Sequence, residues 1–181
     1  MIMVGEIRDK ETATIAIQAA LTGHLVFSTL HTNDAPSAVT RLVDMGVEPF
    51  LIASTVSGVV AQRLVRRVCQ RCKQPFTPPP ELLRNLNNKG GGVPEGANYM
   101  HGRGCQDCRD SGYAGRVGIF ELLMIDDPIR ALVVSRASAR EIQITARKSG
   151  FLTMREDGLI KAAAGMTTLQ EVLRVTQEID E

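Results

Sequence analysis

All four cysteines of this chain lie in two doublets, Cys69-Gln70-Arg71-Cys72 and Cys105-Gln106-Asp107-Cys108, and no other feature constrains the fold as strongly. Each C-x-x-C doublet forms a tight turn that aims two thiolates at one point, so two doublets supply four soft ligands to a single tetrahedral ion. The spacing resembles the four-cysteine zinc pattern with a longer insert. Ordinary thiols, or a redox role for one doublet, are the alternatives that the residues alone leave open. A site closed by four thiolates has no open coordination position, so it stabilises a fold and performs no chemistry, contributing on the order of 10 kcal/mol. Arg66, Arg67, Arg71, Lys73, Arg103 and Arg109 flank the doublets and are expected to offset the charge of the thiolates.

With 181 residues, 44% of them hydrophobic, the chain can bury a core and form one or two small domains. Its net charge of +1 argues against an obligate nucleic-acid surface. The basic run from Arg63 to Lys73 reads more simply as a solvated strand edge beside the metal ligands. Reduced, metal-binding thiols point to a cytosolic compartment, and no segment approaches 18 uninterrupted apolar residues. The opening run Met1-Ile2-Met3-Val4-Gly5 is apolar, as if the chain began inside a buried strand. That is expected of a fragment boundary or a late start codon.

Ile2 to Gly5 reads as a short buried strand ending at Glu6. Asp9 caps a helix whose apolar face is expected at Ile15, Ala16, Ala19 and Ala20, with Gly23 as its stop. His24 to Leu30 is a second apolar, β-prone run that ends in His31, Thr32, Asn33 and Asp34, and a helix runs from Asp34 and Pro36 to Gly46. Strand, helix, strand, helix, with apolar strands too continuous for burial on one face, indicates a parallel α/β sheet covered on both faces. Open sheets of this kind bind ligands beyond the carboxyl ends of their strands, where Glu6, Arg8, His31 and Thr32 fall. Glu6 also suits a capping or surface carboxylate, and His31 a loop histidine. His24, at a strand start, carries less.

Further on, Pro49 opens a helix to about Thr55, and Ser57 to Val68 runs as a strand into the first doublet. A short helix is expected over Glu81 to Asn88 and a flexible loop at Gly90-Gly91-Gly92, which no Lys-Ser or Lys-Thr follows. The turn-rich stretch Gly112 to Arg116 leads into a strand from Val117 to Met124. The last third is helical. Ser138 with Glu141, Thr153 with Glu156, and Thr168 with Glu171 each match the capping-box pattern, and Pro128 marks one more helix start.

Two runs, Met3-Val4-Gly5-Glu6-Ile7-Arg8-Asp9 and Thr22 to Asn33, resemble the Walker B and histidine boxes of the ATPases that drive type II secretion and type IV pilus assembly. Ala61 to Val65, Gly112 to Glu121 and Leu169 to Thr176 continue the resemblance in order, and the tetracysteine insert narrows it to the assembly and secretion branch. The resemblance implies an α/β fold: the C-terminal half of a RecA-like P-loop NTPase domain with a zinc-binding tetracysteine insert and a helical C-terminal subdomain. The parts are expected over 1–68, 69–112 and 113–181, the last beginning with a strand that completes the sheet. It further implies a cytoplasmic hexamer, peripheral to the inner membrane, that uses ATP and Mg2+, holds structural Zn2+ and works with inner-membrane platform proteins without direct nucleic acid.

By position, Glu6 matches the Walker B glutamate that orients the attacking water or supports the magnesium shell. His31, and with less support His24, match the histidine box at the γ-phosphate; Arg8 is expected to reach phosphate or a neighbouring subunit. The sequence departs from the family in two respects: it has no G-x-x-x-x-G-K-[ST] loop and no acidic box ahead of Walker B. Without the loop's amides and lysine, little holds the β- and γ-phosphates, so this stretch alone is expected to bind ATP poorly and not to turn it over. The alternative is a non-enzymatic, zinc-stabilised interaction module derived from the motor. A zinc hydrolase is disfavoured because four thiolates fill the metal.

Overall fold

The computed structural model describes residues 1–88 and 96–176. In chain order it contains β1 (Ile2–Met3), α1 (Lys10–Leu21), β2 (Val26–Phe27), α2 (Ala35–Asp44), α3 (Pro49–Thr55), β3 (Gly58–Val68), β4 (Lys73–Pro75), α4 (Pro80–Asn88) and β5 (Met100–Gly102). A 3-10 turn (Gln106–Cys108), β6 (Tyr113–Met124), α5 (Asp127–Val134), α6 (Ala139–Arg147), α7 (Met154–Ala163) and α8 (Leu169–Thr176) follow. The elements form two compact units, each built from two stretches of chain. The long strands β3 and β6 pair with each other. The expected Gly90-Gly91-Gly92 loop lies outside the described residues.

One unit comprises Met1–Ala61 and Glu121–Phe151. Here β1 and β2 pair in parallel, Ile2 opposite Val26 and Met3 opposite Phe27. Val4 N continues this register to the Phe27 carbonyl at 2.8 Å, and after a slip of one residue Ile7 N bonds the Thr29 carbonyl at 2.9 Å. The parallel pairing is as expected, but the burial on both faces is not: Met3 is 83% exposed and Phe27 50%. An apolar run states the chemistry of its side chains, whereas burial requires a covering layer, and among the described residues none covers Met1, Met3 and Phe27.

Helix α1 begins where the Asp9 carboxylate accepts the Thr12 amide at 2.8 Å. Its buried face is Ala13, Ala16 and Ile17, while Ile15, assigned to that face from sequence, is 58% exposed. Asp34 caps α2 through the Ser37 amide at 2.7 Å, and Gly46 ends the helix at a φ of +86°, which glycine adopts without strain. The core gathers Val39, Leu42, Ile52, Leu123, Ile129 and Ile142. Glu121 is buried beside it and accepts the Ala35 amide at 2.9 Å, which satisfies a donor at the start of α2.

The other unit comprises Gln62–Phe120 and Leu152–Glu181. Strands β4 and β5 pair antiparallel and carry the cysteine doublets at their ends. Helices α7 and α8 pack so closely that a Cβ on Gly158 would meet Val172 Cγ1 at 2.7 Å, over a core that includes Leu86, Tyr99, Leu159 and Leu169. Strand β6 starts at Tyr113 rather than Val117, because pairing with β3 extends through the turn-rich stretch.

Two of the three expected capping boxes form in full, at Ser138 with Glu141 and at Thr153 with Glu156. The third forms by half. Thr168 Oγ1 accepts the Glu171 amide at 3.2 Å, but the Glu171 carboxylate turns to Arg66 and Arg174 instead of returning to the cap.

Candidate functional site

The tetracysteine cluster is built by strand ends. Cys69 follows β3 directly, Cys72 precedes β4, and Cys105 and Cys108 bracket the 3-10 turn. All four sulfurs lie within 4.8 Å of one another. Cys105 and Cys108 are 3.6 Å apart, and the pairs Cys69 with Cys105 and Cys72 with Cys108 are each 3.9 Å apart. A tetrahedral ion with thiolates at about 2.3 Å requires sulfur separations of about 3.8 Å, so donor set and spacing fit zinc. The sulfurs are free thiols, well beyond the roughly 2.05 Å of a disulfide.

The backbone that aims these sulfurs is tightly folded. Cys69 N donates to the Gly112 carbonyl at 3.0 Å, Arg103 N to the Cys72 carbonyl at 3.2 Å, and Cys105 N to Cys108 Sγ at 3.2 Å. Arg109 and Asp110 follow in the left-handed region, with φ of 52° and 59°. Gly102 and Gly112 pass so close that a Cβ on either would strike the other's carbonyl oxygen, which explains why both are glycine. Burial pushes the Cys72 thiol up to about 12. At Cys108 burial acts in the same direction, but the backbone amides of Gly112 and Cys105 outweigh it and bring the thiol down to about 7. Such amides serve a metal-bound thiolate in the same way. Of the flanking cations, Arg71 approaches Asp107 at 3.6 Å across the doublets, while Arg66 turns to Glu171.

A second cluster forms at the carboxyl ends of β1 and β2. Past the strands the pairing slips by one residue, so that Ile7 instead of Glu6 bonds the Thr29 carbonyl, and Glu6 and His31 meet although they are distant in sequence. His31 Nε2 lies 2.7 Å from Glu6 Oε1, and Arg8 Nε donates to Glu6 Oε2 at 2.6 Å. Thr29 Oγ1 donates to the Gly5 carbonyl at 2.8 Å and ties the two chain segments together just before the cluster. The hydrogen bond from Arg8 holds the Glu6 carboxyl below its ordinary value; partial burial opposes this, and the charge of Arg8 adds to it. Glu6 is therefore an ionised acceptor at neutral pH.

His24 does not join this group. Its Nδ1 lies 3.1 Å from Thr22 Oγ1 and 3.2 Å from the Ala19 carbonyl, at the C-terminal end of α1. Of the four residues assigned to catalysis from sequence, the structure brings together Glu6, Arg8 and His31 and sets His24 apart.

Sequence reasoning missed a third cluster. Glu171 is 1% exposed and accepts bonds from Arg66 at 2.7 Å and Arg174 at 2.8 Å. The Arg66 guanidinium also lies 4.2 Å from the centre of the Tyr113 ring, and the Tyr113 hydroxyl pairs with Thr168 Oγ1 at 2.9 Å. The one available signal was the polar residue at the third position of α8, which reads as a capping residue.

The Glu6 carboxylate and the His31 imidazole thus lie at the carboxyl ends of paired parallel strands, the side at which open α/β sheets bind their ligands. The chain belongs to the type II/IV secretion system protein family, whose model matches residues 1–174. It is 56% identical to the type IV pilus assembly ATPase PilB of Thermus thermophilus over 98% of this chain and 20% of that protein. It is 51% identical to type II secretion system protein E of Pseudomonas aeruginosa, over 98% of this chain and 35% of that protein. It thus spans between a fifth and about a third of these relatives. In fold it is similar to the pilus retraction motor PilT, with a TM-score of 0.62 at 24% identity over 96% of this chain and 39% of that one. The ATPase DotB of Legionella pneumophila gives a TM-score of 0.61 at 22% identity, over 98% of this chain and 38% of that one. Among the described residues no helix is long and apolar enough to cross a membrane.

Proposed function

We propose that these residues belong to a hexameric, ATP-hydrolysing motor that powers type II protein secretion or type IV pilus assembly by driving extrusion of pseudopilin or pilin subunits. The observation that carries this reading is the meeting of Glu6, His31 and Arg8 at the carboxyl ends of paired parallel strands. In the motor, the ionised Glu6 carboxylate accepts a hydrogen bond from the attacking water and orients it. His31, whose ring nitrogen bonds Glu6, moves to the γ-phosphate, and Arg8 neutralises charge at the same place or at a neighbouring subunit. His24, expected in the histidine box, instead supports the C-terminal end of α1. Bound Mg2+ would supply charge stabilisation to the phosphates.

In this reading Cys69, Cys72, Cys105 and Cys108 hold a structural zinc, residues 1–68 serve as core, 69–112 as metal insert, and 113–181 as a sheet-completing strand followed by a helical subdomain. The motor works in the cytoplasm at the inner membrane, on platform proteins and without direct nucleic acid. These 181 residues contain no G-x-x-x-x-G-K-[ST] loop, so alone they bind ATP poorly and do not turn it over. Their action by themselves would be that of a zinc-stabilised interaction module. The test is Glu6→Gln in the native-length protein. ATP turnover is expected to fall by about a hundredfold or more while nucleotide affinity and zinc content persist. Unchanged turnover overturns the assignment.

A further inference from the structure

We infer that the tetracysteine module is also a peroxide-sensitive switch, in which Cys105 is oxidised first and closure of a Cys105–Cys108 disulfide expels the metal. This rests on the zinc reading above and adds an order of reaction among the four sulfurs. Three of them are shielded: Cys69 is 1% exposed, Cys72 4% and Cys108 6%, whereas Cys105 is only partly buried. A small oxidant therefore meets Cys105 before the others.

Geometry then selects the partner. Cys108 Sγ lies 3.6 Å from Cys105 Sγ, against 3.9 Å for Cys69. Cys105 and Cys108 bracket a single 3-10 turn, so their sulfurs close the remaining gap of about 1.5 Å by side-chain rotation. A bond from Cys105 to Cys69 would instead span the longer gap and join two separate segments of chain.

The chemistry balances with hydrogen peroxide as the oxidant. The Cys105 thiolate attacks one peroxide oxygen, the O–O bond breaks, and the departing hydroxide takes a proton to become water, leaving a sulfenic acid. The Cys108 thiolate attacks the sulfenyl sulfur, the S–S bond forms, the S–O bond breaks, and a second hydroxide leaves as water after protonation. Two electrons pass from the sulfur pair to peroxide, and two protons come from solvent. Only Cys69 and Cys72 then remain as ligands, too few to hold zinc. A dithiol reductant reverses the step by thiol–disulfide exchange and is itself oxidised to its disulfide.

The experiment treats the zinc-loaded, native-length protein with hydrogen peroxide, follows zinc with a chromogenic chelator, and maps sulfur by tryptic mass spectrometry. Arg103 and Arg109 place Cys105 and Cys108 on one tryptic peptide, which loses two hydrogens when the disulfide forms, whereas Arg71 separates Cys69 from Cys72. Met3, 83% exposed, reports general oxidation in the same molecule. The expected result is release of one zinc per chain in step with the oxidised Gly104–Arg109 peptide, ahead of Met3 sulfoxide, and rebinding of zinc after dithiothreitol. A first disulfide between Cys69 and Cys72, or zinc held until Met3 is oxidised, overturns the switch and leaves the zinc reading standing. A protein isolated without zinc overturns both.

Discussion

Glu6 and Glu171 are each held between two nitrogen-bearing side chains, yet their surroundings differ in two respects that decide what each can do. Glu6 is 19% exposed, and its partners Arg8 and His31 project to solvent from the ends of short strands. Glu171 is 1% exposed, and it accepts bonds from the Arg66 amide at 3.0 Å, the Arg66 guanidinium at 2.7 Å, and Arg174 Nε and a terminal nitrogen at 3.0 and 2.8 Å. Burial alone would raise the Glu171 carboxyl, but these donors outweigh it and bring it to about 2. A carboxylate surrounded by fixed donors and shielded from water holds the fold. One whose partners lie in solvent is open to a water in their place. The residue types alone do not separate the two roles.

Removing the proposed zinc should perturb the Glu171 side of this comparison most. The strand that carries Arg66 runs into Cys69, so chelation is expected to abolish amide-exchange protection over 69–76 and 99–112 while the Glu6 cluster keeps its own. Exchange mass spectrometry reads both regions at once, and equal loss in both would break the distinction. Cys105→Ser should lose zinc and loosen 69–108 in the same way, with α5 to α8 still folded.

Next in size is Glu171→Ala. Breaking a buried pair ordinarily costs several kcal/mol, but the Arg66 and Arg174 head groups already reach solvent and can rehydrate, so the loss should be about 3 kcal/mol by denaturant unfolding. Acid acts on the same carboxylate without a mutation. Its folded value of about 2 lies below the ordinary 4.5, so its contribution is complete above pH 4.5 and is lost as pH falls through 2. With half-exposed partners this contribution is roughly 2 kcal/mol, and it should vanish from the pH dependence of the Glu171→Gln variant.

What the sequence made legible follows the range of the interaction concerned. Local devices were readable: Asp9, Asp34, Ser138 and Thr153 cap the helices they were expected to cap, and Pro49 opens α3. Glu171 carries the same local signature as Glu141 and Glu156, but a guanidinium 105 residues away captures it, and no local pattern records that. Likewise Ile15 has the chemistry of a core residue, yet Ala13, Ala16 and Ile17 occupy the side of α1 that meets the core. The four sulfurs converge as their spacing suggested. Glu6 and His31 converge for a different reason: the parallel pairing expected of strand, helix, strand brings the carboxyl ends of β1 and β2 to one side, where the sequence already placed both residues.

The smallest expected effect is the sharpest test of the comparison. Arg8 is 76% exposed, so its attraction to Glu6 competes with water and salt, and Arg8→Ala should leave the melting temperature unchanged within error. Its consequence should appear in titration. With the Arg8 hydrogen bond and charge gone, the Glu6 carboxyl should rise towards its ordinary 4.5, as read by carboxylate NMR, and remain ionised at neutral pH. The outcome opposed to this reading is an Arg8→Ala protein that melts as early as Glu171→Ala. That would mean Glu6 is clamped as firmly as Glu171, and its partners would then be fixed supports instead of groups free to turn to a ligand.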